Sequence, residues 1–147
     1  MGSRRKGRIL AFQALYAWGM SEPAAREKAL PDLLEFLWLE RPRGETADFS
    51  RLLLQGAVEN IEPVDELIKR QLVHWDFSRV NRVDQAILRL GVYEMAFQKE
   101  TPAVVINEAV NISKEFGNDD SYRFVNGVLD GVRKSLLEPV ETTKGPS

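Results

Sequence analysis

Apolar residues recur along this chain with a helical period, most clearly from Val104 to Asp130. Val105, Ala109, Ile112 and Phe116 are spaced i, i+4, i+7 and i+11, which places them on one face of a helix. After a polar break at Gly117–Tyr122 the same period returns in Val125, Val128, Leu129, Val132 and Leu136. Gly117 reads as a helix stop, since glycine enters the left-handed conformation without a Cβ clash. Asp119, Asp120 or Ser121 can cap the next helix by accepting its free N–H groups. Phe116 and Phe124 flank this corner and fit the core stripes imperfectly. Spacing leaves two readings open: both rings in the core with Asp120 as a cap, or exposed rings that stack on unpaired bases.

The rest of the chain follows the same period. A first helix spans Arg4 to Trp18, with Ile9, Phe12, Leu15 and Tyr16 as its apolar stripe, and Gly19 ends it. Ser21-Glu22-Pro23 opens a second, because proline suits the first helical position, and Pro31 breaks or kinks it. Leu33, Leu34 and Phe36 to Leu39 form a dense apolar patch before a loop at Arg41–Gly44. Thr46 caps a helix carrying Phe49, Leu52, Leu53, Gly56 and Ile61, and Pro63 begins another that reaches Trp75. Asn81 and Asp84, three residues apart, form a capping pair ahead of Ile87, Leu88, Leu90, Val92, Tyr93 and Met95. Thr101-Pro102 starts the next helix. No strand-like alternation appears, so the class is all-α, with about seven helices joined by short connections. Residues 1–137 form one domain, and the apolar-poor tail, 138–147, is expected to be disordered.

Composition narrows the chemistry. The 147 residues contain no cysteine, which removes disulfides, thiol nucleophiles and cysteine-based zinc sites. No apolar run is long enough to suggest a membrane span, and the chain reads as cytoplasmic. The single histidine, His74, follows an apolar helix beside Trp75 and reads as a packed or surface residue. Glu94 and Glu100 read as solvated charges, and Gly127–Gly131 lies within a helical pattern rather than after a strand. Nothing assembles a nucleophile, a base and an oxyanion site. No enzyme, metal or cofactor is expected.

The net charge is −2, yet Arg4, Arg5, Lys6 and Arg8 cluster with no acid before Glu22. Cations in the first turn of a helix oppose its macrodipole. A frayed, solvated terminus is one reading, and a phosphate-binding arm of the kind that orders on RNA is the other. Tyr16, on the same helix, is a further stacking platform or simply core.

Three segments carry a resemblance: RRKGRILAFQALYAW at Arg4–Trp18, VDQAILRLGVYE at Val83–Glu94, and INEAVNISKEFGNDDSYRFVNGVLD at Ile106–Asp130. Together they resemble the bacterial transcription antitermination factor NusB family, with weaker agreement from Phe49 to Trp75. The last segment is the most specific. The chain departs from the family pattern at Arg41–Thr46, Trp75–Val80 and the tail. The resemblance implies two packed helical subdomains without catalytic activity. It also implies pairing with NusE, a ribosomal small-subunit protein, on the single-stranded boxA element of ribosomal RNA leaders, within the RNA polymerase antitermination complex. Carried over by position, Arg4, Arg5, Lys6 and Arg8 would contact RNA, as would Phe116, Asp120, Phe124 and Tyr16. Asp84 would contact the partner, or serve only as a cap with Asn81. The free protein could be a monomer or a homodimer. Two other readings are a detached relative of the RNA-targeting domain of ribosomal RNA cytosine methyltransferases, and a helical protein–protein scaffold.

Overall fold

The computed structural model describes residues 2–35 and 44–137. Within them lie seven helices: α1 (Gly2–Met20), α2 (Arg26–Leu33), α3 (Gly44–Glu59), α4 (Ile61–Lys69), α5 (Arg82–Ala96), α6 (Pro102–Phe116) and α7 (Ser121–Leu137). Single 3-10 turns at Pro23–Ala25 and Phe77–Arg79 complete the regular structure. Among the described residues there are no strands. Phe36 to Leu39, Arg41 to Arg43 and the tail from Glu138 lie outside the described residues.

The core is organised around α5, which is buried at every position from Asp84 to Met95. A helix covered on all sides is ordinarily apolar all round. This one instead carries four buried polar residues, each tied to its surroundings. Asp84 joins Asn81, Gln85 donates to the Phe77 and Val80 carbonyls, Arg89 pairs with Asp65 of α4, and Glu94 pairs with Arg8 of α1. Arg8 meets Glu94 while Gly19 meets Arg82, so α1 and α5 run antiparallel. One continuous apolar cluster joins α1 and α3 with α4–α7, from Leu10 and Leu15 through Leu54 and Ile68 to Val125 and Leu129.

Several boundaries differ from the sequence expectation, each for a local reason. Gly19 does not end α1, which runs to Met20; its carbonyl instead accepts from Arg26 and Arg82, at 2.8 and 2.6 Å. Pro31 lies within α2, which ends two residues later at Leu33. Thr46 is inside α3 rather than capping it, and its carbonyl accepts from Ser50 Oγ. Pro63 stands two residues inside α4, which stops at Lys69, well before Trp75. The Asn81 cap forms as expected: its Oδ1 accepts from the Asp84 N–H at 2.8 Å, and its Nδ2 donates to Asp84 Oδ2 at 3.1 Å.

At the α6–α7 corner, Gly117 does stop α6, but with φ −92° and ψ −172° it is extended rather than left-handed. Glycine is required by space instead. A Cβ there would lie 2.5 Å from Ser121 Oγ and 2.8 Å from the Ser113 carbonyl oxygen, which is fixed in the helix backbone. Gly117→Ala should therefore lower stability by about 1–3 kcal/mol. Gly127→Ala, where a Cβ meets nothing within 4 Å, should raise it by about 0.5–1 kcal/mol. Urea midpoints of the two variants check the contrast, and equal midpoints would refute the crowding explanation.

Candidate nucleic-acid interface

The basic residues of α1 divide into different environments. Arg8 is only 4% exposed, and its Nε lies 3.0 Å from both carboxylate oxygens of Glu94. Glu94, expected as a solvated charge, is itself 2% exposed. Its carboxyl is pushed above the ordinary range by burial, with the Arg8 guanidinium opposing that rise. Arg8 is therefore a buried cation committed to Glu94, unlike the exposed cations expected beside it for RNA contact.

Arg4 and Arg5 are exposed. Arg4 reaches Glu100 at 3.3 Å and lies over the Phe49 ring, 4.1 Å from its centroid. Arg5 makes a two-pronged pair with Glu108 at 3.0 and 3.1 Å, and that carboxylate raises the proton affinity of the guanidinium. Acids borrowed from the far half of the chain thus offset the unfavourable charge in the first turns of α1. Lys6 is exposed and has no acidic partner among the described residues.

The corner residues stand further along the same edge. Arg5 meets Glu108 and Phe12 meets Phe116, so α1 and α6 run in the same sense, with the basic cluster at one end of this seam and the corner at the other. Phe116 is half-buried, its ring centroid 5.3 Å from that of Phe12. It shares an open groove of about 400 Å³ with Tyr16, Met20, Asn81, Val83 and Asn118. Tyr16 is 37% exposed, so part of its ring faces solvent.

Phe124 is also half-buried, on α7, against the exposed Trp75 at 6.1 Å between centroids. The two phenylalanines therefore serve different neighbours, and neither is a bare platform. The Asp120 side chain is exposed and points toward Arg123 at 3.8 Å. Asn118, which sequence reasoning did not single out, orders the turn ahead of α7: its Oδ1 accepts from the Asp120 N–H and from Ser121 Oγ. Lys114 and Arg123 flank the Tyr122 ring at 5.3 and 5.2 Å, giving this corner a cationic outer edge.

Asp84 is 4% exposed, and burial raises its carboxyl above the usual range while Ser121 and Asn81 oppose the rise. Its visible work is to fix the start of α5 beneath the groove. His74 is exposed. Among the described residues no helix is long and apolar enough to cross a membrane.

Among the described residues, a buried α5 packed by α1, α3, α4, α6 and α7, with a cation-studded first helix and an ordered α6–α7 corner, defines a class of all-α protein built on this one topology. Comparison with known proteins identifies the class: the NusB family profile matches residues 5–134, and the chain belongs to the NusB family. It is 49% identical over 136 residues to the transcription antitermination protein NusB of Treponema pallidum, covering 90% of this chain and 93% of that protein. It is 38% identical to that of Myxococcus xanthus, covering 95% of this chain and all of the relative. Among solved structures, T. maritima NusB superposes with a TM-score of 0.73 at 33% identity, covering 89% of this chain and 90% of that one. A chain from a crystal structure of antitermination factors NusB and NusE in complex with dsRNA superposes at 0.75 and 28% identity, covering 92% and 98%.

Proposed function

We propose that this chain is a non-catalytic, cytoplasmic RNA-binding adaptor. In this reading it pairs with NusE, binds the single-stranded boxA element of ribosomal RNA leader transcripts, and joins the RNA polymerase antitermination complex. The observation that carries the reading is the α1 terminus: Lys6 without an acidic partner among the described residues, and Arg4 and Arg5 in exposed ion pairs, on a chain of net negative charge. Surface pairs of this kind contribute little and exchange readily for a phosphate. Membership of the antitermination family, and a structural neighbour crystallised with NusE and RNA, support it.

In this arrangement Arg4, Arg5 and Lys6 hold phosphates at one end of the α1–α6 seam. Tyr16 and Phe116 line the groove at the other end, Phe124 supports Trp75, and Asp120 sets the local charge of the corner. Asp84 acts on the partner surface indirectly, by fixing the N-terminus of α5.

A filter-binding titration of boxA RNA against a scrambled strand, with and without NusE, tests the reading. The expected result is tighter binding of boxA, strengthened by NusE. Equal binding of both strands in the presence of NusE would refute it. NusE binding without any RNA affinity would instead favour the scaffold alternative.

A further inference from the structure

Behind the Tyr16 groove, Arg26, Lys69, Arg82 and Arg89 converge from three helices on a second pocket of about 500 Å³. Its carboxylates are Asp65 and Asp76, and Trp75 stands at its rim. Asp65 is already committed, pairing with both ends of the Arg89 fork at 2.9 and 3.0 Å. Among the described residues Arg26 and Arg82 form no carboxylate pair; both donate to the neutral Gly19 carbonyl, and Arg26 also to that of Ser21. Lys69 has no hydrogen bond or ion pair among the described residues.

The site is therefore left with excess positive charge that the described residues do not neutralise. Burial first, and then the nearby Arg89 and Arg82, hold the Arg26 guanidinium below its ordinary proton affinity, while Asp65 and Glu22 oppose them. Guanidinium forks on separate helices suit an oxyanion that presents several acceptors at once. Trp75 is 58% exposed and rests against Phe124, leaving ring surface free to receive a flat group. Arg82 lines both this pocket and the Tyr16–Phe116 groove, so a strand could pass from one to the other. An acidic peptide would satisfy the arginines but would leave the tryptophan face unused.

We propose that this pocket is a second phosphate site, in which Arg26, Lys69 and Arg82 hold a phosphodiester of single-stranded RNA while Trp75 receives a neighbouring base. The proposal rests on the RNA-binding reading above.

The test uses the full chain with NusE and a boxA oligonucleotide, comparing K69Q/R82Q, W75A and R4Q/R5Q/K6Q. For K69Q/R82Q the log–log salt dependence of RNA affinity should flatten by about 1.4, two single-strand phosphate contacts. W75A should weaken binding about tenfold with its slope unchanged. Inorganic phosphate, compared with chloride at equal ionic strength, should compete with RNA for the unmodified protein but less for K69Q/R82Q. Thermal melts monitor folding, and K69E, at a side chain with no internal bond, should weaken RNA binding more than K69Q does.

If K69Q/R82Q and W75A keep full affinity and slope while R4Q/R5Q/K6Q loses them, the pocket proposal is overturned and the α1 reading stands. Phosphate competition without any effect of these variants on RNA would also overturn it, marking a free-anion site. Loss of NusE binding with RNA affinity intact would make the pocket a protein-partner site. Absence of RNA binding by the unmodified complex would refute both readings together.

Discussion

Arg8→Met is expected to cost about 3–5 kcal/mol of stability, because it leaves Glu94 as an unpaired charge inside the protein. The two side chains are only 5% and 3% exposed, and the pair joins α1 to the central helix. The double variant R8M/E94L should recover most of the loss, since apolar groups of similar volume commonly replace a buried ion pair without penalty. The deficit should also depend on pH. In R8M the carboxyl loses the group that opposes its burial-driven rise, so its folded proton affinity climbs further. A carboxyl raised by folding contributes stability fully present below its unfolded pKa and lost as pH rises through its folded value. The R8M deficit should thus narrow on acidification below the ordinary carboxylate range and widen above it. Urea unfolding across that range measures both effects. A single variant as stable as the parent, or a double variant no better than the single, would refute the buried-pair account.

The buried role of Arg8 had a signature in the chain. Arg8, Phe12 and Leu15 fall at i, i+4 and i+7, so the arginine continues the stripe that α1 turns to the core. Glu94 likewise interrupts an apolar run between Tyr93 and Met95 on a helix that proves to be buried all round. Two opposite charges embedded in two apolar faces imply each other, but only once the topology makes α1 and α5 neighbours.

The helices themselves were legible because their period is local. The Asn81 and Thr101-Pro102 starts are set by residues a few positions away, and they fall as expected. Gly19 and Thr46 did not punctuate their helices as expected, and Gly117 does stop α6 but in an extended rather than left-handed conformation. Two arginines claim the Gly19 carbonyl, Ser50 claims that of Thr46, and Ser121 crowds Gly117. The aromatic corner shows the same division. Spacing put Phe116 on the α6 stripe, and it does pack against Phe12; the partnership of Phe124 with Trp75 joins segments that no local pattern connects. Likewise, nothing local brings Arg26 of α2 beside Arg82 of α5. The second cationic pocket exists only in the folded chain.

Neutralising Arg4, Arg5 and Lys6 together should flatten the log–log salt dependence of RNA affinity by about 2, the loss of three single-strand phosphate contacts. The fold should persist, because the two arginine pairs are exposed and Lys6 has no hydrogen bond or ion pair among the described residues. The three side chains are not equivalent. Lys6 has no partner among the described residues to give up, so Lys6→Gln alone should remove about 0.7 of the slope. Arg5 must first leave Glu108, which competes with the phosphate for the same guanidinium fork. Glu108→Gln weakens that competitor while keeping its shape, and should strengthen RNA binding in the parent chain but not in a chain lacking Arg5. Titrations over a series of salt concentrations separate these outcomes. An unchanged slope in the triple variant would remove α1 from the RNA interface. Strengthening by Glu108→Gln even without Arg5 would show that the acid acts only through long-range repulsion of the strand, and not by holding the arginine.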